Sequence, residues 1–145
     1  MSITRSVLLL AFDQQGNLYG ATTTGGSGGG GTVFELTLSD GTWTLNTLYN
    51  FTGSPGCGPY GTLAMDAAGN LYGTTYCAGA NGAGNVFELT STGGSWTYTS
   101  LHDFTDGSDG GYPTSSVILD AKNNLYGTAT QGGSQGSGVV WEITP

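Results

Sequence analysis

The stretch Asp66-Ala-Ala-Gly-Asn-Leu-Tyr-Gly73 decides the fold of this chain, because it occurs three times in nearly the same form. The other copies are Asp13-Gln-Gln-Gly-Asn-Leu-Tyr-Gly20 and Asp120-Ala-Lys-Asn-Asn-Leu-Tyr-Gly127, so the aspartates lie 53 and 54 residues apart (66 − 13 and 120 − 66). Self-similarity at a fixed period of this size is typical of repeat architectures. We therefore expect one repeat domain over residues 1–145, with units at 1–53, 54–107 and 108–145.

Each unit contains short runs of β-branched and aromatic residues, and none of them has the 3.6-residue period of a helix. The runs are 7–12, 62–65 and 117–119 before the aspartate, 17–23, 70–76 and 124–130 after the turn, then 32–37, 85–90 and 139–144, and finally 43–51 and 96–104. The glycine-rich stretches 25–31, 79–84 and 132–138 recur between the same two runs and are expected to be connecting loops. The pattern predicts an all-β protein of four antiparallel strands per unit.

The repeated motif predicts a hairpin turn. An aspartate side chain can accept a hydrogen bond from the backbone two residues on, and glycine or asparagine tolerates a positive φ angle. Asn123 replaces the glycine of the third copy, a substitution that the left-handed region also allows.

Four antiparallel strands per repeat of this length indicate a β-propeller blade. In closer detail the chain resembles the GloVer tandem repeat, a family of extracellular bacterial repeats. The resemblance rests on Gly-Asn-Leu-Tyr-Gly-Thr-Thr at 69–75, Val-Phe-Glu-Leu-Thr at 86–90 and the Phe-Thr…Asp-Gly…Pro segment at 104–113. It covers essentially the whole chain, although the segment 53–57 of the first unit lacks the Asp-Gly found at 109–110. The resemblance implies a fold and an extracellular or cell-surface location, but no catalytic residue.

The number of blades leaves the predicted ring open. The last unit lacks its fourth strand, so the chain is expected to supply eleven strands, about 2.75 blades, whereas propellers close with about four to eight. Open edges and exposed apolar faces favour association. Either copies associate into a closed ring, with a dimer favoured because it supplies six blades, or the chain is a fragment of a longer protein.

Composition excludes several classes of partner. The chain has two basic and ten acidic residues and a net charge of −8, so binding to nucleic acid or to an anionic membrane is not expected. The apolar run at 7–11 is too short to insert in a membrane. Recurring aromatic residues argue against a disordered chain, although 28 of the 145 residues are glycine.

Candidate chemistry is sparse. Cys57 and Cys77 flank the hairpin at Asp66, and hairpin register places them at the same end, so we expect a disulfide between them, with two unpaired thiols as the alternative. Two cysteines and the single His102 cannot supply a tetrahedral metal site, and no Ser-His-Asp or Cys-His arrangement is suggested by spacing. We therefore expect no cofactor, no metal and no catalytic residue. His102 takes the place of a tyrosine in the preceding unit, which indicates packing or surface exposure.

Three groups of repeated or clustered residues remain as candidate sites. The acidic loop 103–109 is either a solvated turn or a calcium site. Three glutamates recur on the third strand of each unit and are expected at outward or rim positions: Glu35, Glu88 and Glu142. Six aromatic residues either stack on sugars or, more in keeping with one aromatic per blade, form the core between blades: Tyr19, Tyr72, Tyr126, Trp43, Trp96 and Trp141.

Two functions follow from these observations. Repetition without a unique polar constellation favours a non-enzymatic extracellular repeat module that acts as a scaffold or recognition surface and assembles with itself. The alternative is a lectin-like carbohydrate binder with one site per blade, which would make glycans its partners. Fold alone does not decide between them, because propellers host many unrelated functions.

Overall fold

The structure is a computed structural model that describes residues 7–54 and 56–144. These residues form three antiparallel sheets. Sheet 1 contains β1 (Val7–Phe12), β2 (Leu18–Thr22), β3 (Gly29–Ser39) and β4 (Thr42–Thr52). Sheet 2 contains β5 (Pro59–Met65), β6 (Leu71–Thr75), β7 (Asn85–Thr92) and β8 (Ser95–Asp103). Sheet 3 contains β9 (Gly111–Pro113), β10 (Ile118–Leu119), β11 (Leu125–Gln131) and β12 (Val139–Ile143).

The all-β prediction is confirmed, since none of the described residues is helical. In the part of the chain that the structure covers, no helix is long and apolar enough to cross a membrane. Residues 1–6, 55 and 145 belong to the predicted units but lie outside the described residues. Each predicted strand has a counterpart within a few residues of its expected bounds.

The first strand of the third unit differs from the single run expected at 117–119. It is divided into β9 and β10, which both pair with β11. Between them the chain turns toward sheet 2, where the backbone N–H of Thr62 donates to Oγ of Ser116 at 2.9 Å. The hydroxyl of Ser115 replaces the lost backbone pairing by accepting from the N–H of Thr128 at 2.8 Å. The break in the strand therefore links two sheets.

The hairpin prediction is also confirmed. In the first turn Oδ1 of Asp13 accepts from the backbone N–H of Gln15 at 2.9 Å and of Asn17 at 2.8 Å. The other two turns repeat these bonds at Asp66 and Asp120. The position before the repeated asparagine has a positive φ in every copy, 86° at Gly16, 86° at Gly69 and 64° at Asn123. This backbone conformation explains why only glycine and asparagine occur there.

The glycine that ends each motif has a packing role that sequence reasoning did not assign. A Cβ atom on Gly73 would lie 2.6 Å from Cζ of Phe87, closer than side chains approach. Gly20 lies in the same way beneath Phe34, and Gly127 lies beneath Trp141. Glycine therefore lets the aromatic ring of the third strand lie flat across the second strand.

Two apolar clusters join the sheets in series. The cluster between sheets 1 and 2 contains Tyr19, Ala21, Val33, Phe51, Leu63, Leu71, Phe87 and Leu89. The cluster between sheets 2 and 3 contains Tyr72, Ala83, Val86, Phe104, Val117, Leu125, Ala129 and Trp141. The first strands of sheets 1 and 2 lie beside each other, as the inner strands of blades would. The described residues do not close a ring, so the closed propeller remains a proposal.

Candidate functional site

A tyrosine hydroxyl lies between two carboxylates in each sheet, and in sheets 1 and 2 this tyrosine is buried. The hydroxyl of Tyr19 donates to Oε1 of Glu35 at 2.7 Å, and Oδ2 of Asp13 lies 3.4 Å away. The same arrangement, which we call the Asp–Tyr–Glu cluster, recurs in sheet 2 with distances of 2.9 Å and 3.1 Å. In sheet 3 the distances are 3.0 Å and 3.4 Å. The later clusters are Asp66, Tyr72 and Glu88, and Asp120, Tyr126 and Glu142.

Strand register builds this cluster. Tyr72 on β6 lies directly opposite Glu88 on β7, so the two side chains share a face of the sheet. Asp66 is oriented by its own turn, since its Oδ2 accepts from Nδ2 of Asn70 at 2.9 Å. The sequence placed the glutamates at outward or rim positions, and Glu35 and Glu88 are half-buried while Glu142 is exposed. Their bond to the tyrosines was missed, although the common period of the two residue types was a signal for it.

The cluster shifts the pKa values of its members in opposite directions. Burial, together with the hydrogen bond to Glu88, raises the pKa of Tyr72 well above its usual value. Burial alone would raise the pKa of Asp66, but hydrogen bonds from the backbone and side chain of Asn70 hold it below its usual value. The tyrosine therefore stays a hydrogen-bond donor and the aspartate an acceptor over a wide pH range.

We expect Tyr72→Phe to lower the free energy of unfolding by about 1.5 to 3 kcal/mol, because a buried hydrogen bond to a carboxylate is lost. Tyr126→Phe is the matched control, since Tyr126 is only half-buried and its partner Glu142 is exposed, and it should cost less. Urea denaturation at pH 7 measures both. Equal losses in the two variants would contradict the role of burial.

The stability of Tyr72→Phe and that of the wild type should depend differently on pH. The folded pKa of Tyr72 is raised, so its contribution is fully present below pH 10 and is lost as pH rises above about 10. Tyr72→Phe should therefore lose less stability than the wild type between pH 10 and 12. The lowered pKa of Asp66 has the opposite consequence, because its contribution is present above about pH 4 and is lost as pH falls below it.

The six aromatic candidates separate into buried and accessible rings. Tyr19, Tyr72 and Trp141 are buried, so most of each ring packs within the chain. Tyr126 and Trp96 are half-buried, and Trp43 is exposed. Trp141 also differs from the other tryptophans in position, because it lies on β12 opposite Gly127, where the first two units have phenylalanine.

One cleft combines accessible aromatic and polar groups. A cavity of about 530 Å³ opens between sheets 1 and 2 and is lined by both aspartate turns and by Tyr19, Glu35 and Trp96. Its carboxylates, hydroxyl and indole ring could receive a small hydroxyl-bearing molecule. The cleft is the candidate binding site of the described residues.

The two cysteines form the predicted disulfide. Cys57 and Cys77 are bonded, with their Cα atoms 4.4 Å apart. The carbonyl of Cys57 also accepts from the backbone N–H of Cys77 at 3.3 Å and of Ala78 at 3.1 Å. The bridge and these bonds tie the segment that enters sheet 2 to the end of β6. A disulfide fits an oxidising compartment such as the extracellular space.

The acidic loop uses its carboxylates for local structure. Oδ2 of Asp109 accepts from the backbone N–H of Thr105 at 3.1 Å and lies 3.1 Å from Nε2 of His102. Oδ1 of Asp103 accepts from the backbone N–H of Ala80 at 3.1 Å. Among the described residues, no group of three or more His, Cys, Asp or Glu side chains is placed to hold a metal ion. His102 packs edge-on against Phe104, with ring centroids 4.8 Å apart.

Comparison with known proteins identifies the repeat. The family model of the Gloeobacter/Verrucomicrobia repeat matches residues 4–145. No curated protein and no solved structure matches the chain at a significant level.

Proposed function

The chain belongs to the Gloeobacter/Verrucomicrobia repeat family, and we propose that it is a non-enzymatic extracellular module that acts as a scaffold or recognition surface by assembling with copies of itself. Its polar clusters support a non-enzymatic role, because each is repeated in every sheet and its tyrosine proton is already donated to a glutamate. The disulfide supports an extracellular location.

The observation that carries the proposal is the solvent exposure of one repeated valine position. Val33 and Val86 occupy equivalent positions in sheets 1 and 2, and both are 0% exposed because the next sheet covers them. Val140 is their counterpart in sheet 3, and it is 81% exposed. Ile118 lies on the same side of sheet 3 and is also exposed. We call Ile118 and Val140 the sheet 3 end face.

The opposite end of the chain has a complementary surface. Leu63 and Met65 on β5 pack against sheet 1. Their counterparts on β1 are Leu10 and Phe12, and Phe12 is 68% exposed. Trp43 and Leu45 are also exposed and extend this surface. We call Leu10, Phe12, Trp43 and Leu45 the sheet 1 end face.

The two end faces are the two halves of the contact that already joins sheet to sheet within the chain. A second copy can therefore place its sheet 1 end face on the sheet 3 end face of the first. Burying each large apolar side chain contributes about 1.5 to 3 kcal/mol. A head-to-tail contact of this kind forms a ring when its rotation closes and a filament when it does not. Two copies give six sheets, which is within the usual range of propellers.

Light scattering on variants tests this assembly. We expect the wild type to be oligomeric at micromolar concentration, and Phe12→Asp and Val140→Asp each to be monomeric, since both residues are exposed in the single chain. A mixture of the two variants should form a dimer, because each retains the end face that the other has lost. Ala121→Asp adds the same charge in an exposed turn and should not change the mass.

Two results would contradict the proposal. A monomeric wild type at micromolar concentration would contradict the proposed self-assembly. An oligomer that persists in Val140→Asp but not in Phe12→Asp would indicate a symmetric contact between sheet 1 end faces instead.

The cleft between sheets 1 and 2 favours a second candidate, a lectin-like carbohydrate binder. Trp96 supplies an aromatic ring, and Asp13 and Glu35 supply acceptors for sugar hydroxyls at its border. Binding on a glycan array that disappears in Trp96→Ala would support this function, and the absence of any wild-type binding would argue against it.

A further inference from the structure

Among the described residues, the third strand of sheet 3 is paired along one edge only. In sheets 1 and 2 the third strand pairs on both sides, as β7 does with β6 and β8. In sheet 3, β12 pairs with β11, and no strand within residues 7–54 and 56–144 pairs with its other edge. The edge therefore presents unpaired backbone N–H and C=O groups over Val139–Ile143, which can template another strand.

Sheet 2 shows what a fourth strand supplies at this place. The ring of Tyr98 on β8 stacks on Tyr49 of sheet 1, with ring centroids 4.7 Å apart and planes at 13°. It also lies 5.8 Å from Phe51 and 5.7 Å from Phe87. Its hydroxyl accepts from Nδ2 of Asn85 at 2.6 Å. One tyrosine thus fills the junction between two sheets.

The aromatic residues that surround Tyr98 have counterparts between sheets 2 and 3. His102 and Phe104 replace Tyr49 and Phe51, and the centroid distance is 4.8 Å with planes at 84°, against 4.9 Å and 79° in the original pair. Trp141 occupies the position that Phe87 has on β7, and the ring centroids of Trp141 and Phe104 are 6.1 Å apart. The three rings keep the arrangement that surrounds Tyr98.

The place of the fourth ring is open. A cavity of about 280 Å³ lies beside His102 and Phe104 and runs along β12, with Ser108 and Asp109 at its border. Trp141 lines it, and Nε1 of this buried residue has no hydrogen-bond partner. The cavity therefore offers apolar walls for a ring.

We propose that the free edge of β12 and this cavity bind an extended polypeptide segment with the aromatic pattern of β8, which adds to sheet 3 as its fourth strand. The register follows from sheet 2, where Tyr98 lies opposite Leu89 and Ser100 lies opposite Phe87. The added strand runs antiparallel to β12, with an aromatic residue opposite Ile143 and a small hydroxyl-bearing residue opposite Trp141. Backbone bonds supply the pairing, and the aromatic ring in the cavity supplies specificity.

A peptide with the sequence of β8, Ser-Trp-Thr-Tyr-Thr-Ser-Leu-His-Asp, tests the proposal on the intact protein. We expect saturable one-to-one binding by isothermal titration calorimetry, and at least tenfold weaker binding of the peptide in which serine replaces the tyrosine. Hydrogen exchange should slow at the backbone amides of Val139–Ile143 when the peptide binds.

Two protein variants sharpen the test. Val139→Asn restores the amide that Asn85 provides in sheet 2 and should tighten binding. Ser108→Trp places a large side chain from an exposed position into the cavity and should weaken binding at least tenfold. The proposal is overturned if the peptide does not bind at 100 μM, if binding ignores both the tyrosine and Ser108→Trp, or if exchange slows at another edge instead.

Discussion

Phe87→Ala should lower the free energy of unfolding by about 3 to 5 kcal/mol, the cost of removing a buried aromatic side chain and leaving a cavity. Phe87 is 0% exposed and lies between sheets 1 and 2. Its ring is 5.3 Å from that of Phe51 and 5.7 Å from that of Tyr98, so the cavity would open where two sheets meet. Urea denaturation followed by circular dichroism measures the change.

Thr97→Ala is the control for this prediction. Thr97 lies on β8 of the same sheet and is exposed, so its truncation should change stability by less than about 0.5 kcal/mol. A loss below 1 kcal/mol in Phe87→Ala would show that the contact between sheets 1 and 2 contributes little to the stability of the chain.

Removing the disulfide should have the second largest effect. The bridge joins Cys57 to Cys77 across a separation of 20 residues, and closing a loop of this length restricts the unfolded chain by about 3 kcal/mol. The double variant Cys57→Ser, Cys77→Ser should lose that amount in urea denaturation. These are the only two cysteines in the chain, so no other pairing can replace the bridge.

A reducing agent separates the effect of the bond from that of the substituted side chains. It should lower the stability of the wild type to that of the double variant and should leave the double variant unchanged. A wild type that resists unfolding equally well with and without reductant would contradict the prediction.

The strands and turns could be predicted from the sequence because their determinants are local. Asp13 accepts hydrogen bonds from residues two and four positions ahead, and the positive φ of Asn123 needs only a residue that tolerates it. The disulfide could be predicted for a similar reason, since hairpin register places Cys57 and Cys77 at the same end of the hairpin. The break between β9 and β10 could not be predicted, because Ser116 bonds to Thr62 of another sheet.

The candidate site was only partly predictable. Tyr72 and Glu88 were each singled out, but their bond depends on which residues of β6 and β7 lie opposite each other. Trp141 was grouped with Trp43 and Trp96 as a candidate aromatic residue, but it is buried whereas Trp43 is exposed, because position on the strand, and not residue type, decides what a side chain contacts. His102 and Asp109 were considered separately, and their 3.1 Å contact became visible only in the folded loop.

The sequence by itself determined the repeat, the all-β class, the turns and the possible pairing of the cysteines, since each depends on residues within one unit. Only the tertiary structure decided which repeated positions are covered. Val33, Val86 and Val140 hold the same place in their units, yet the first two are 0% exposed and the third is 81% exposed. Burial of a strand face depends on the sheet that packs against it, and the local sequence of the face does not encode that neighbour.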